Sequence, residues 1–275
     1  IEDLEDNKIM KARIISAILM MLIFIPLLVV GEVPFAVFMT ILAVCGLYEI
    51  IHVRETTRKF PVLVKVFAYL LVMFFTMSNF DALQFTYTVD YRVISFTVFA
   101  FLLPMIFIKD KKQYDLNDAL FLIGIVVFLG LGFNLIILIR NFDIKYVIYL
   151  LLITTMTDTF ALITGKLIGK RKLAPTISPK KTIEGSIGGS IMGTFVASAY
   201  YITVVNPFKS LVLVILISFL LTCVGQLGDL AFSFIKREYD KKDFSNLIPG
   251  HGGILDRFDS LIFVVLVFIL VLGLI

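Results

Sequence analysis

The residues of this chain best suited to chemistry are acids placed where an ionised group is disfavoured. Asp229 lies in an apolar stretch, and an acid inside a membrane helix is a functional-site candidate by default. With helical spacing, Asp229, Ser233 and Lys236/Arg237 fall at i, i+4 and i+7/i+8 and stack on one face. The chain then leaves the helix at Pro249-Gly250, passes His251-Gly252-Gly253 and re-enters an apolar stretch through Asp256-Arg257-Phe258-Asp259. Asp256 and Asp259, at i and i+3 on the start of that helix, can point the same way. Three carboxylates from two helix ends, with one histidine and no cysteine nearby, form a hard oxygen-ligand set suited to Mg²⁺. The surrounding Lys and Arg would hold phosphate oxygens. An interhelical salt-bridge network capping two helices would account for the acids, but it has no need of the glycines.

A second stretch, from Ala174, reads APTISPKKTIEGSIGGS. Lys180 and Lys181 precede Glu184-Gly185-Ser186 and Gly188-Gly189 at the opening of another apolar helix. Point charges beside a glycine-rich helix start favour phosphate. The other reading is a solvated basic loop followed by a small-residue packing face at Gly185, Gly188 and Gly189. Composition alone does not separate the two; the 225–261 stretch tips the balance towards phosphate. Elsewhere the charges are bland. The Lys109-Asp110-Lys111-Lys112 cluster reads as a topology determinant lying against anionic headgroups. His52 reads as interfacial, and Glu49, one turn inside a span, as a carboxylate close enough to the interface to reach water. Cys45 and Cys223 form no CxxC and indicate neither a disulfide framework nor a zinc site.

Taken together, these residues resemble a known family. Ser233-Phe-Ile-Lys236-Arg237, then Lys242-Asp243-Phe-Ser245, then Pro249-Gly250-His251-Gly252-Gly253-Ile-Leu-Asp256-Arg257-Phe-Asp259 is similar to the signature of phosphatidate cytidylyltransferases (CDP-diacylglycerol synthases). Ser178-Pro179-Lys180-Lys181-Thr182-Ile-Glu184-Gly185 resembles that family's second hallmark, and Asp158 matches its intramembrane aspartate. One departure is that Phe160 and Leu162 follow Asp158 where the family commonly has a tyrosine. The resemblance spans about Thr154 to Leu261.

It implies that CTP and phosphatidate give CDP-diacylglycerol and pyrophosphate. A phosphatidate oxygen attacks the α-phosphorus of CTP in line, a reaction that asks for positioning and charge neutralisation more than covalent catalysis. On that reading Asp229, Asp256 and Asp259 hold Mg²⁺, with a second cation compatible with the same chemistry. Lys180, Lys181, Lys236 and Arg257 neutralise the triphosphate or the lipid headgroup. His251, Gly252 and Gly253 shape the loop that admits CTP. Ser178, Thr182, Glu184, Ser233, Arg237 and Asp158 complete the substrate-binding set. No strong general base is required, because the attacking phosphate is already an anion.

The elements that must position these residues follow from composition. The 275 residues are 59% hydrophobic and 17% charged, with mean hydropathy +0.99. Soluble domains are roughly 45–50% apolar and about 25% charged, so the expectation is an all-α integral membrane protein. Disorder, collagen, coiled coil and a disulfide-stapled secreted domain are excluded. Nine apolar stretches are long enough to cross: Ile14–Val30, Pro34–Ile51, Val62–Ser78, Val93–Ile108, Ala119–Ile139, Tyr146–Gly165, Ile187–Val205, Leu211–Ile235 and Leu261–Ile275. Twenty of the 25 Lys and Arg fall at the N-terminus and in the even-numbered gaps, and four in the odd-numbered ones. The positive-inside rule then predicts a cytoplasmic N-terminus, an external C-terminus and an active site facing the cytoplasm.

Residues 1–9 read as a leader or upstream remnant with Met10 as the natural start. Residues 10–145 read as an N-terminal helical region and 146–275 as the catalytic region. The expected setting is the cell (inner) membrane, with membrane lipids as surroundings and no nucleic-acid partner. A homodimer packed through small residues is compatible with the sequence. Two rival functions are a cation-coupled transporter using Asp158 and Asp229, and a CTP-dependent polyprenol kinase. The acids cluster towards cytoplasmic helix ends, which weighs against transport; the kinase would release CDP in place of pyrophosphate.

Overall fold

The computed structural model describes residues 2–78, 91–108 and 113–275, so the Lys109–Lys112 cluster lies outside the described residues. In chain order the elements are α1 (Glu2–Val30), α2 (Glu32–Arg54), α3 (Val62–Met77), α4 (Tyr91–Leu102), α5 (Pro104–Phe107), α6 (Leu116–Phe142) and α7 (Ile144–Ile168). A hairpin of β1 (Lys172–Ala174) and β2 (Ser178–Thr182) follows, then α8 (Ile183–Tyr200), α9 (Leu211–Glu238) and α10 (Leu255–Val271). α8 runs on through a π-helical turn, Tyr201–Val205.

Seven of these helices are long and apolar enough to cross a membrane, and the chain is a multi-pass membrane protein. The third and fourth expected spans come out shorter. Val62–Met77 has 16 residues, about 24 Å of helix at 1.5 Å per residue. The fourth is interrupted because Pro104 has no N–H to continue the helical ladder, so the chain restarts at α5 with the proline in its first turn. The sixth gap, expected as an irregular basic loop, forms the antiparallel hairpin with Lys172 opposite Thr182 and Ala174 opposite Ser178.

The chain divides into two compact units. One comprises Ile1–Phe142 with Asp243–Asp256; the other comprises Asp143–Lys242 with Arg257–Ile275. In the first, Phe35, Met39 and Leu47 of α2, Phe75 of α3 and Phe133 of α6 are fully buried. Polar side chains there end helices. Asn134 donates to the carbonyls of Thr76 and Ser78 at 3.0 and 2.6 Å, taking up acceptors at the end of α3. Arg140 donates to Leu28 and Val29 at 2.8 and 2.6 Å and so caps α1. Asp118 at the start of α6 is 1% exposed and is paired with both Arg54 and Arg58.

The second unit is organised around α7 against α8. Gly185, Gly189 and Gly193 recur every fourth residue and let the backbones approach. A Cβ on Gly189 would sit 2.6 Å from the Thr157 carbonyl, and one on Gly185 would sit 2.7 Å from that of Ala161. At these glycines the structure follows the packing reading of the sequence. Tyr149 and Ser218, both buried, share a 2.8 Å hydrogen bond that ties α7 to α9.

Candidate active site

The hairpin decides which of the paired lysines can act inside the second unit. Successive residues on a strand point to opposite faces. On β2, Pro179 and Lys180 are exposed, while Lys181 is half-buried and Thr182 is buried. Lys181 Nζ accordingly pairs with Asp229 Oδ2 on α9. Ser233, one turn on, donates to Asp229 Oδ1 at 3.3 Å, as the i, i+4 spacing predicts. Around this pair lie further charges of the same unit. Asp158 on α7, exposed on its helix, is within electrostatic reach of Asp229, Lys181 and Arg257. Asp259 on α10 is within reach of Asp229, Asp158 and the buried Lys236. α9 and α10 can come this close because Gly228 has no side chain: a Cβ there would sit 2.8 Å from Phe263 Cβ and 3.0 Å from the Asp259 carbonyl. Two sequence stretches about 50 residues apart thus meet through Lys181 and Asp229.

Other residues expected to bind substrate hold the frame. Thr182 is the N-cap of α8 and accepts the Gly185 N–H at 3.1 Å. Glu184 accepts the N–H groups of Lys170 and Arg171 at 3.0 and 3.1 Å and the Arg171 side chain at 3.2 Å, clasping the root of the hairpin. Arg237 donates to the carbonyls of Ile177 and Lys241 at 3.2 and 2.6 Å, binding the hairpin turn to the end of α9. Ser178 pairs with Ala174 in the strand register. Gln226, one turn before Asp229, joins α8 to α9 through Ser186 and Ser190 at 2.5 and 2.7 Å; the sequence reading did not single it out.

The glycine loop belongs to the first unit. Ile248 and Gly252 exchange backbone hydrogen bonds of 2.9 and 3.1 Å, closing a turn in which Gly252 has φ +85°, a region L side chains avoid. Asp256 Oδ2 accepts the N–H groups of Phe244 and Gly253 at 3.1 and 2.9 Å, so its carboxylate folds the loop back onto the start of α10. Two N-terminal helices then hold this loop. From α1, Arg13 donates to the Gly250 carbonyl at 3.1 Å. Ser16 lies 2.8 Å from His251 Nδ1 and 3.0 Å from the Pro249 and Arg13 carbonyls. The Ser16 hydroxyl has a single proton, so when it donates to one of the two carbonyls it can meet Nδ1 only by accepting from an N–H there. From α2 comes Glu49, treated below.

Hard carboxylate oxygens of Asp158, Asp229 and Asp259 fit a divalent cation by donor chemistry. Among the described residues, however, no three Asp, Glu, His or Cys side chains are arranged as a metal-binding group. The oxygens are instead turned to Lys181 and Ser233 (Asp229), to the Ser260 N–H at 2.7 Å (Asp259) and to the loop (Asp256).

Comparison with known proteins identifies the family. Residues 11–275 match the family model described as "Cytidylyltransferase family". The chain belongs to the cytidylyltransferase family. It is 35% identical over 259 residues to the phosphatidate cytidylyltransferase of Bacillus subtilis (strain 168), covering 93% of this chain and 94% of that protein. It is likewise 35% identical over 256 residues to that of Staphylococcus haemolyticus (strain JCSC1435) and over 265 residues to that of Staphylococcus aureus (strain COL). In both cases 93% of this chain and 96% of the relative are covered. The cytidylyltransferase match takes in the N-terminal helices that supply Arg13, Ser16 and Glu49, which the resemblance in the C-terminal half did not reach. Arg13 and Ser16 had no signal beyond a basic flank and a small polar residue. Glu49 did: it was an acid inside a span.

Proposed function

We propose that this protein transfers the cytidylyl group of CTP to phosphatidate, forming CDP-diacylglycerol and releasing pyrophosphate. The observation that carries this reading is the pairing of Lys181 with Asp229, in a chain whose relatives over 93% of its length bear the name of that enzyme. Joining two anions needs positive charge placed in advance. Lys181, Lys236 and Arg257 supply it beside the acids of α7, α9 and α10, and Lys180 on the exposed face of β2 adds a guiding charge. Attack on the α-phosphorus forms one P–O bond as the bond to pyrophosphate breaks. The attacking oxygen needs no base because phosphatidate is ionised.

Asp229 and Asp259, with Asp158 close by, are the residues that would hold Mg²⁺, and a second cation is compatible with three carboxylates. The chemistry that such an ion would supply there is neutralisation of triphosphate charge. Asp256 is assigned to holding the loop, since one of its oxygens already accepts two backbone N–H groups. His251, Gly252 and Gly253 receive CTP. Ser233 orients Asp229, while Ser178, Thr182, Glu184 and Arg237 keep the hairpin in place beneath the lysines. Nine spans in the cell membrane, with the N-terminus and site on the cytoplasmic side and the C-terminus outside, follow from the charge asymmetry of the gaps. A homodimer is consistent with this arrangement.

Purified protein in phosphatidate-containing vesicles, given CTP and Mg²⁺, is expected to release pyrophosphate and accumulate CDP-diacylglycerol. Release of CDP, or no CTP-dependent lipid product, overturns the reading.

A further inference from the structure

A carboxylate with no exposed surface, near the C-terminal end of α2, is committed to the glycine loop. Glu49 is 0% exposed. Its Oε1 accepts the Ser245 hydroxyl at 2.6 Å and the Ile254 N–H at 2.8 Å, and its Oε2 accepts the Leu255 N–H at 2.9 Å. The sequence suggested an acid reaching water at the interface; instead it is walled in by its partners. One of them is the first N–H of α10, that of Leu255, and another is the N–H of Ile254 immediately before it. Such N–H groups at a helix start have no acceptor within the helix, and the helix dipole there favours an anion. The third, Ser245, lies at the other end of the loop. One side chain therefore joins both flanks of the Pro249-Gly250-His251-Gly252-Gly253 turn.

The surroundings are shaped to admit it. A Cβ on Gly253 would sit 2.5 Å from Glu49 Oε1, and one on Gly46 would sit 2.8 Å from the Leu255 side chain. Gly46 and Glu49 are i and i+3 on α2, so one helix face carries both the gap for Leu255 and the acceptor for its N–H. Every partner of this carboxylate is a donor held by the loop or by the start of α10.

We infer that Glu49 is a positioning residue for nucleotide binding: it sets the loop carrying His251, Gly252 and Gly253 and so tunes affinity for CTP without touching it. This rests on the reading that the loop receives CTP. Glu49→Gln is the informative change, because the amide keeps the size but replaces one acceptor oxygen with a donor NH₂. Whichever way the amide turns, that NH₂ faces a donor: Leu255 N–H on one side, Ser245 and Ile254 on the other. Losing one or two hydrogen bonds to a charged acceptor corresponds to roughly 10- to 100-fold.

The test is steady-state kinetics of purified Glu49→Gln, Glu49→Asp and wild type in vesicles, with CTP and phosphatidate varied separately and folded protein quantified. Expected is a rise of about tenfold or more in the KM for CTP in Glu49→Gln, with partial recovery in Glu49→Asp and a phosphatidate KM within about twofold of wild type. An unchanged KM for CTP, or an equal rise for both substrates, overturns the proposal. Where Glu49→Gln does not fold, Ser245→Ala and Gly253→Ala decide: a higher KM for CTP alone supports the proposal, and wild-type values in both overturn it. Wild-type turnover separates the two levels of inference. If wild type makes no CDP-diacylglycerol, the enzymatic reading fails; if it does and Glu49→Gln matches it, only the role of Glu49 fails.

Discussion

Two membrane-helix acids, Glu49 in the first unit and Asp229 in the second, are satisfied in opposite ways. Glu49 is saturated by three donors that are backbone N–H groups or a short hydroxyl. Such donors cannot leave without unmaking a loop and a helix start. Asp229 is held by a serine one turn away and by a lysine on a separate hairpin. A lysine is a strongly hydrated point charge on a flexible stem, and it can exchange a carboxylate for a phosphate when one arrives. An acid locked by fixed donors organises structure, and an acid held by an exchangeable cation is available for chemistry. Charge and burial alone do not separate these cases; the identity of the partners does.

The largest effect that would sharpen the contrast is at Asp229. Asp229→Asn should lower turnover roughly 1,000-fold, the upper end for removing one preorganised charge, while the purified protein keeps its wild-type melting temperature. Full turnover in that variant would remove Asp229 from the chemistry. Next is Lys181→Met, expected to reduce kcat/KM about 100-fold. Lys180→Met should cost far less, because β2 turns Lys180 away from Asp229; equal losses would break the face argument.

A smaller effect is expected from Ser16→Ala, which removes one hydrogen bond around His251. At about 1 kcal/mol this is roughly a fivefold rise in the KM for CTP, read from the same kinetics. Smallest of all is the Mg²⁺ requirement of Glu49→Gln. Its half-saturating Mg²⁺ should stay within about twofold of wild type if Glu49 only positions the loop. A large shift in a Mg²⁺ titration would erase the distinction between the two acids.

Much of the site was legible in the linear pattern because its spacings are local. Asp229 and Ser233 are one turn apart, and helix geometry alone makes them neighbours. Lys180 and Lys181 were legible as a pair but not as unequals, since the loop gave no sign of being a strand. Thr182, Glu184 and Arg237 entered the substrate-binding set through the two motifs that resemble the family. In the structure they meet the Gly185 N–H at the start of α8, the Arg171 N–H at the root of the hairpin and the Ile177 carbonyl in its turn, an allocation that depends on a turn no hydrophobic period announces. Glu49 was visible as an intramembrane acid, but its partners are about 200 residues away.

By itself the sequence determined the solvent, the helical class and the chemistry on offer. Hydropathy measures transfer to lipid residue by residue, and the acids and lysines carry their charge wherever they lie. Tertiary structure decided which acid meets which donor. It put Lys181 on Asp229, gave the Gly185-Gly189-Gly193 stripe to packing, and joined Asp243–Asp256 to the N-terminal unit, where Glu49 accepts its hydrogen bonds. Hydrogen bonds and ion pairs act over a few ångströms, and only the folded chain brings such distant residues that close.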